Sequence, residues 1–180
     1  MKILAISGSL RAASLNSALL RAAARIAPPE FDIELFRRLG DLPLFNPDLD
    51  AETVETVQML RRRIVAADAL LIASPEYAHG VTGAMKNALD WMVGNESFVR
   101  KPVALLNASP RARHAQAALR ETVSTMSALV VDEASITLPI LGSGFDEDAI
   151  VRHTQIRTAL LDSLHALAAA VRSLPSEDDA

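Results

Sequence analysis

Hydrophobic and polar positions alternate between two textures along the chain. Short runs rich in apolar residues read as strands: Lys2 to Ile6, Phe31 to Phe36, Ala69 to Ala73, Val103 to Leu106 and Val130 to Leu138; Ala69 to Ala73 is apolar throughout, as expected when both faces are covered. Asp132 and Glu133 inside the last of these mark it as an edge strand. Between them lie stretches with apolar residues at helical spacing. The first carries Leu15, Leu19, Ala22 and Ile26 and ends at Pro28-Pro29. Further helices are predicted over Glu52 to Ala66, Gly83 to Val93, His114 to Met126 and Glu147 to Val171, the last with a stripe of Ile156, Leu160, Leu164, Leu167 and Val171.

Strands alternating with helices predict an α/β domain built on a mostly parallel sheet with helices on both faces. One domain over residues 1–173 is expected, followed by an acidic disordered tail over 174–180. Such sheets bind ligands beyond the carboxyl ends of their strands, so chemistry is sought in the loops after the first, third and fourth strands.

Composition narrows the classes. The chain has 180 residues, 50% of them hydrophobic, which is enough for a core without staples. It has no cysteine, so disulfides, thiolate nucleophiles and cysteine-ligated metals are excluded. The four histidines are too scattered to predict a metal site. Eighteen basic against 22 acidic residues give a net charge of −4, and aromatic residues are only 4% of the chain. Nucleic-acid binding is disfavoured on both counts. No apolar run approaches the roughly 18 residues of a membrane span, and a cytoplasmic protein is expected.

The first loop, Ser7-Gly8-Ser9-Leu10-Arg11-Ala12-Ala13-Ser14-Leu15-Asn16-Ser17, leads from a strand into a helix N-terminus. Free N–H groups, the helix dipole, four hydroxyls, Asn16 and the Arg11 fork suit a phosphate monoester. The plain alternative is that Ser14 or Ser17 only caps the helix. Neither a dinucleotide-binding GxGxxG nor a P-loop is present. After the third strand comes Ser74-Pro75-Glu76-Tyr77-Ala78-His79-Gly80, in which Tyr77 and His79 could flank a planar ligand; an ordinary turn is the alternative. The third loop, Asn107-Ala108-Ser109-Pro110-Arg111, offers Ser109 as a donor, while Arg111 and Arg113 could attract an anion or be solvated surface charges. LGSG at 141–144 reads as a turn.

Taken together, SGSLRAASLN after the first strand, SPEYAHGVTGAMKNALDW some 60 residues later, and DLPLFNPDLD at 41–50 resemble the NAD(P)H-dependent FMN reductase family. The resemblance covers roughly residues 1–140. It implies a flavodoxin-like three-layer sandwich with a five-stranded parallel sheet in the order 2-1-3-4-5. It also implies an enzyme that transfers hydride from NADPH or NADH to FMN, then reduces a quinone, azo compound, metal oxyanion or free flavin with ping-pong kinetics. By the same resemblance Ser9, Arg11, Ser14, Asn16 and Ser17 bind the FMN phosphate, and Pro75, Glu76, Tyr77 and Ala78 lie along the isoalloxazine with Ser109 near its pyrimidine end. Tyr77 and His79 touch substrate, no side chain is catalytic, and the protein forms a homodimer or homotetramer. Two departures stand out: Ala78 where many members have Asn, and Pro110-Arg111-Ala112-Arg113 where many have a glycine-rich loop.

Two rivals remain. A flavodoxin-like electron carrier would have protein partners instead of NAD(P)H. A GDSL-type esterase would use Ser7 or Ser9 with the DxxH of Asp162 and His165, although these fall within a predicted helix and the GDS tripeptide is absent. The helix carrying Met85, Leu89, Trp91, Met92 and Val93 offers a candidate interface between subunits, with simple core packing as the alternative.

Overall fold

The computed structural model describes residues 1–175. Residues 176–180 of the expected acidic tail lie outside the described residues. Its frame is a parallel sheet of β1 (Lys2–Ser7), β2 (Asp32–Phe36), β3 (Ala69–Ala73), β6 (Pro102–Asn107), β7 (Leu129–Val130) and β8 (Ile136–Thr137). The order is β2-β1-β3-β6-β7, with β8 also on β6. β4 (Glu76–Tyr77) and β5 (Gly80–Val81) form a separate two-stranded hairpin. The predicted 2-1-3-4-5 order is therefore present, with the fifth strand in two pieces.

Side chains of a strand point alternately to opposite faces, and the two cores follow that alternation. Ile3, Ala5, Leu71, Ala73, Ala104 and Leu106 face α1 (Leu15–Ile26) and α6 (Thr154–Arg172). Leu4, Ile6, Leu70, Ile72, Val103 and Leu105 face α2 (Glu55–Ala66), α3 (Gly83–Val93) and α4 (Arg113–Thr125). Both faces are buried, which is why these strands read as unbroken apolar runs.

Three predicted elements differ from the structure. The strand expected over Val130 to Leu138 is interrupted by a 3-10 turn at Asp132–Ala134. Ala134 is drawn into the core beneath α6, where the Ser163 hydroxyl donates to its carbonyl at 2.5 Å. The Ser135 hydroxyl bridges the gap in the ladder, accepting from Leu105 N–H at 3.1 Å and donating to Val131 C=O at 2.8 Å. The helix expected over Glu147 to Val171 is two helices, α5 (Glu147–Arg152) and α6, parted at His153, whose imidazole caps α6. Ile150 and Ile156 are both buried but out of phase on one continuous helix, so the break lets both face inward. Lastly, a 3-10 turn at Ala51–Thr53 precedes α2, which starts at Glu55 instead of Glu52.

The candidate interface on α3 is corrected in the same way. Met85, Leu89, Trp91 and Met92 are buried in the core, and only Val93 is exposed. The loop before α2 covers this helix: Trp91 Nε1 and Asn87 Nδ2 both donate to Pro43 C=O, and the Phe45 ring meets Trp91 edge-on at 5.2 Å. What the sequence left as surplus apolar surface is the floor under that loop.

Candidate functional site

The loop after β1 is locked to the end of β3 before it reaches α1. Gly8 N–H donates to Ala73 C=O at 2.8 Å, and Thr82 Oγ1 donates to Gly8 C=O at 2.6 Å while capping α3. A Cβ on Gly8 would stand 2.3 Å from Ser74 Oγ, so only glycine fits this crossing. Ser14 caps α1 by accepting from Ser17 N–H at 3.2 Å, and the Ser7 and Ser17 hydroxyls are 2.7 Å apart. Asn16 is buried in the first turn, and its side-chain oxygen has no hydrogen-bond partner.

The segment after β3 is a tight hairpin. Ala78 (φ 49°) and His79 (φ 61°) are both left-handed, the backbone of a type I′ turn. Glu76 Oε2 accepts from Ala115 N–H at 2.9 Å. The helix it reaches, α4, has Ala112 at its N-cap position, with no side chain able to cap it, so Glu76 supplies the cap from a distance. The His79 ring stacks on His114 at 4.4 Å. The hairpin is thus clasped to α4 at two points. After β6, Asn107 Oδ1 accepts from Ser109 N–H at 3.0 Å, Ser109 Oγ accepts from Arg111 N–H at 3.2 Å, and Ala112 N–H donates to Ser109 C=O at 3.1 Å.

These three loops border a cleft of about 570 Å³ at the carboxyl edge of the sheet. Of the residues expected there, Ser9, Arg11, Ser14 and Asn16 line one end, and Pro75, Glu76, Tyr77 and Ser109 also line it. Ser17, Ala78 and His79 do not. Ser17 borders a second cleft of about 410 Å³ on the β2 side of the same loop. Glu76 spends its carboxylate on α4, and Tyr77 is exposed on the rim. Asp162 and His165 lie exposed on α6 and line neither cleft, and His165 packs against Phe31.

One wall escaped the sequence reading. Leu141, Gly144, Phe145, Asp146 and Glu147 close the far side of the larger cleft. Gly142 (φ 86°) and Gly144 (φ 71°) do turn the chain, but Ile140 and Leu141 N–H groups donate to Ala108 C=O and press that turn against the third loop. The available signal was its position after the fifth strand, at the same sheet edge as the other loops. The wall is tied to α1 by Arg21 and Glu147 at 2.8 Å and by Arg25 with Asp148. The Arg25 guanidinium holds the Asp148 carboxyl below its ordinary value.

The residues fit FMN on two independent points. The volume is that of a pocket for a ligand of this size. At the α1 end, Arg11 forms no ion pair among the described residues, and the buried Asn16 oxygen lacks a donor that a ribityl hydroxyl would supply. Fold and cleft together define a flavodoxin-like protein with a site suited to a flavin mononucleotide.

Comparison with known proteins specifies the class. Residues 1–140 match the family model described as NADPH-dependent FMN reductase, and the chain belongs to that family. It is 36% identical over 97% of both chains to an NAD(P)H-dependent FMN reductase of Pseudomonas aeruginosa. It is 38% identical to a 2-hydroxy-1,4-benzoquinone reductase from a Burkholderia species over 61% of each. Among solved structures, the FerB NAD(P)H:(acceptor) oxidoreductase from Paracoccus denitrificans superposes with a TM-score of 0.82 at 26% identity, covering 95% of this chain and 97% of that one. A flavodoxin from Pseudomonas aeruginosa shares the fold alone, at 14% identity and a TM-score of 0.61 over 93% of this chain and 99% of its own.

Proposed function

We propose that this protein is an NAD(P)H-dependent FMN reductase that passes two electrons to a small-molecule acceptor of the quinone type. The carrying observation is the cleft itself. An arginine that forms no ion pair among the described residues and a buried amide oxygen without a partner lie at a helix N-terminus, opposite a hairpin held by α4. Bound FMN would supply the redox chemistry, a two-electron transfer between NAD(P)H and the acceptor.

The chain's own work is positioning. Arg11, Ser9 and the free N–H groups at the start of α1 bind the phosphate, and Ser14, already capping the helix, presents its remaining lone pair to a ribityl hydroxyl. Asn16 bonds the ribityl chain. Pro75, Glu76 and Tyr77 form the platform for the planar ring, and the Ser109 hydroxyl, whose oxygen already accepts from Arg111 N–H, has its proton free for the ring edge. Tyr77 on the rim meets the incoming substrate, and the Ala78–His79 turn fixes where that rim lies. Leu141 and Phe145 supply an apolar wall that limits water. None of these groups needs to exchange a proton. Among the described residues no helix is long and apolar enough to cross a membrane, and the reading places the enzyme in the cytoplasm, where NAD(P)H is produced. It works as a homo-oligomer, for which the exposed Leu44 and Leu49 on the loop before α2 supply apolar surface.

Two-substrate kinetics tests the reading. Because donor and acceptor use one site in turn, double-reciprocal plots at several quinone concentrations are expected to be parallel. Protein that holds FMN but does not oxidise NAD(P)H would instead support an electron carrier.

A further inference from the structure

Three arginines line the larger cleft. Arg21 is met by Glu147, and Arg11 serves the flavin phosphate in the reading above. Arg111 has no such role. Among the described residues its guanidinium forms no ion pair and donates to no protein acceptor. The acidic groups that line the cleft are all committed elsewhere: Glu76 to Ala115 N–H, Asp146 to Ala149 N–H and Glu147 to Arg21.

Position separates Arg111 from Arg11. Their loops leave β6 and β1, and β3 lies between those strands, so the loop origins are two strand spacings apart, about 10 Å. A phosphate held at the start of α1 leaves Arg111 on another wall, at the exposed rim. Its backbone is fixed there by Ser109, which is itself fixed by the buried Asn107. A nicotinamide ring stacking on a bound flavin occupies the interior of the cleft, so the charged remainder of the dinucleotide must cross the rim. A neutral quinone brings no charge to meet.

We propose that Arg111 is the residue that recognises the phosphoryl groups of the pyridine dinucleotide. The proposal rests on the flavin reading of the same cleft. The guanidinium forks onto phosphate oxygens that reach the rim, and the self-bonded loop holds it ready, so little ordering is required when the nucleotide arrives.

The test uses FMN-loaded wild type, Arg111→Met and Arg111→Lys. Bound FMN is first quantified by absorbance, then 2′,5′-ADP and ADP are titrated calorimetrically, and KM and kcat are measured for NADPH and NADH. Arg111→Met is expected to retain FMN, to bind 2′,5′-ADP about tenfold more weakly and to raise the NADPH KM similarly, with the effect carried by KM and not kcat. Arg111→Lys should recover part of the loss, because it keeps the charge without the fork. A loss confined to NADPH and 2′,5′-ADP assigns the contact to the 2′-phosphate; an equal loss for NADH and ADP assigns it to the pyrophosphate. Unchanged nucleotide binding and KM in an FMN-loaded Arg111→Met protein would overturn the inference while leaving the flavin reading intact. Wild type that takes up no FMN would overturn both.

Discussion

Removing the Glu76 carboxylate should release one of the two contacts that hold the hairpin to α4. The bond from Ala115 N–H to Glu76 Oε2 is 2.9 Å long and carries a charged acceptor at the positive end of a 13-residue helix. A hydrogen bond to a charged group contributes about 1.5–3 kcal/mol, and loss of an N-cap costs about 0.5–2 kcal/mol; these describe one interaction and do not add. Glu76 is half-buried, so water replaces part of what is lost, and about 1–2 kcal/mol is expected for Glu76→Ala. Glu76→Gln keeps an acceptor but not the charge, and should lose only about 0.3–1 kcal/mol. Urea unfolding of both variants measures this, and for a chain of this size each kcal/mol lowers Tm by about 2–4 °C. Because Tyr77 and Pro75 enter the cleft from the same hairpin, FMN affinity should fall in the order wild type, Gln, Ala. Stability and FMN affinity of Glu76→Ala equal to wild type would refute the cap.

Gly8→Ala places a Cβ 2.8 Å from Ser74 Cβ as well as 2.3 Å from its hydroxyl, and should cost about 1–3 kcal/mol in urea unfolding. Adding Ser74→Gly should restore part of it, and a fully stable single variant would show that the crossing is not tight. Ala78 holds φ 49° without a glycine, so Ala78→Gly should gain about 0.5–1 kcal/mol net of the extra freedom of the unfolded chain, visible as a higher Tm; a lower Tm would contradict it. Asp148 titrates below its ordinary value because Arg25 bonds it, so the stability from this pair is present above the ordinary carboxylate value and lost as pH falls through the lowered folded value. Arg25→Gln should therefore narrow its stability gap to wild type as the pH drops through that range, and a gap that widens there would reverse the sign.

The architecture was legible because its physics is local or repetitive. Ala69 to Ala73 is apolar at every position since both sheet faces are covered, and Gly83 to Val93 forms the helix its pattern predicts. Two of the failures share one cause, a contact between distant segments: Ala134 leaves the strand where α6 draws it in, and the α3 face is covered by a loop whose proline carbonyl gave no sign of it. The break at His153 is local, a cap three residues from its partner inside a stripe that looked continuous. The site divides in the same way. That Arg11, Asn16, Tyr77 and Ser109 border one cleft was readable because strand ends announce the loops that follow them. Glu76 as a helix cap, and the wall from Leu141 to Glu147, depend on how loops pack on one another, which spacing along a chain does not encode.

The most direct test is an anaerobic spectrophotometric titration with FMN and then NADPH, on wild type and Arg11→Ala together. An FMN reductase using this cleft should take up one flavin per chain, bleach it on addition of NADPH, and lose about tenfold or more in FMN affinity when the Arg11 fork is removed. Flavin that does not bind, or that binds Arg11→Ala as tightly as wild type, would contradict the assignment of this cleft.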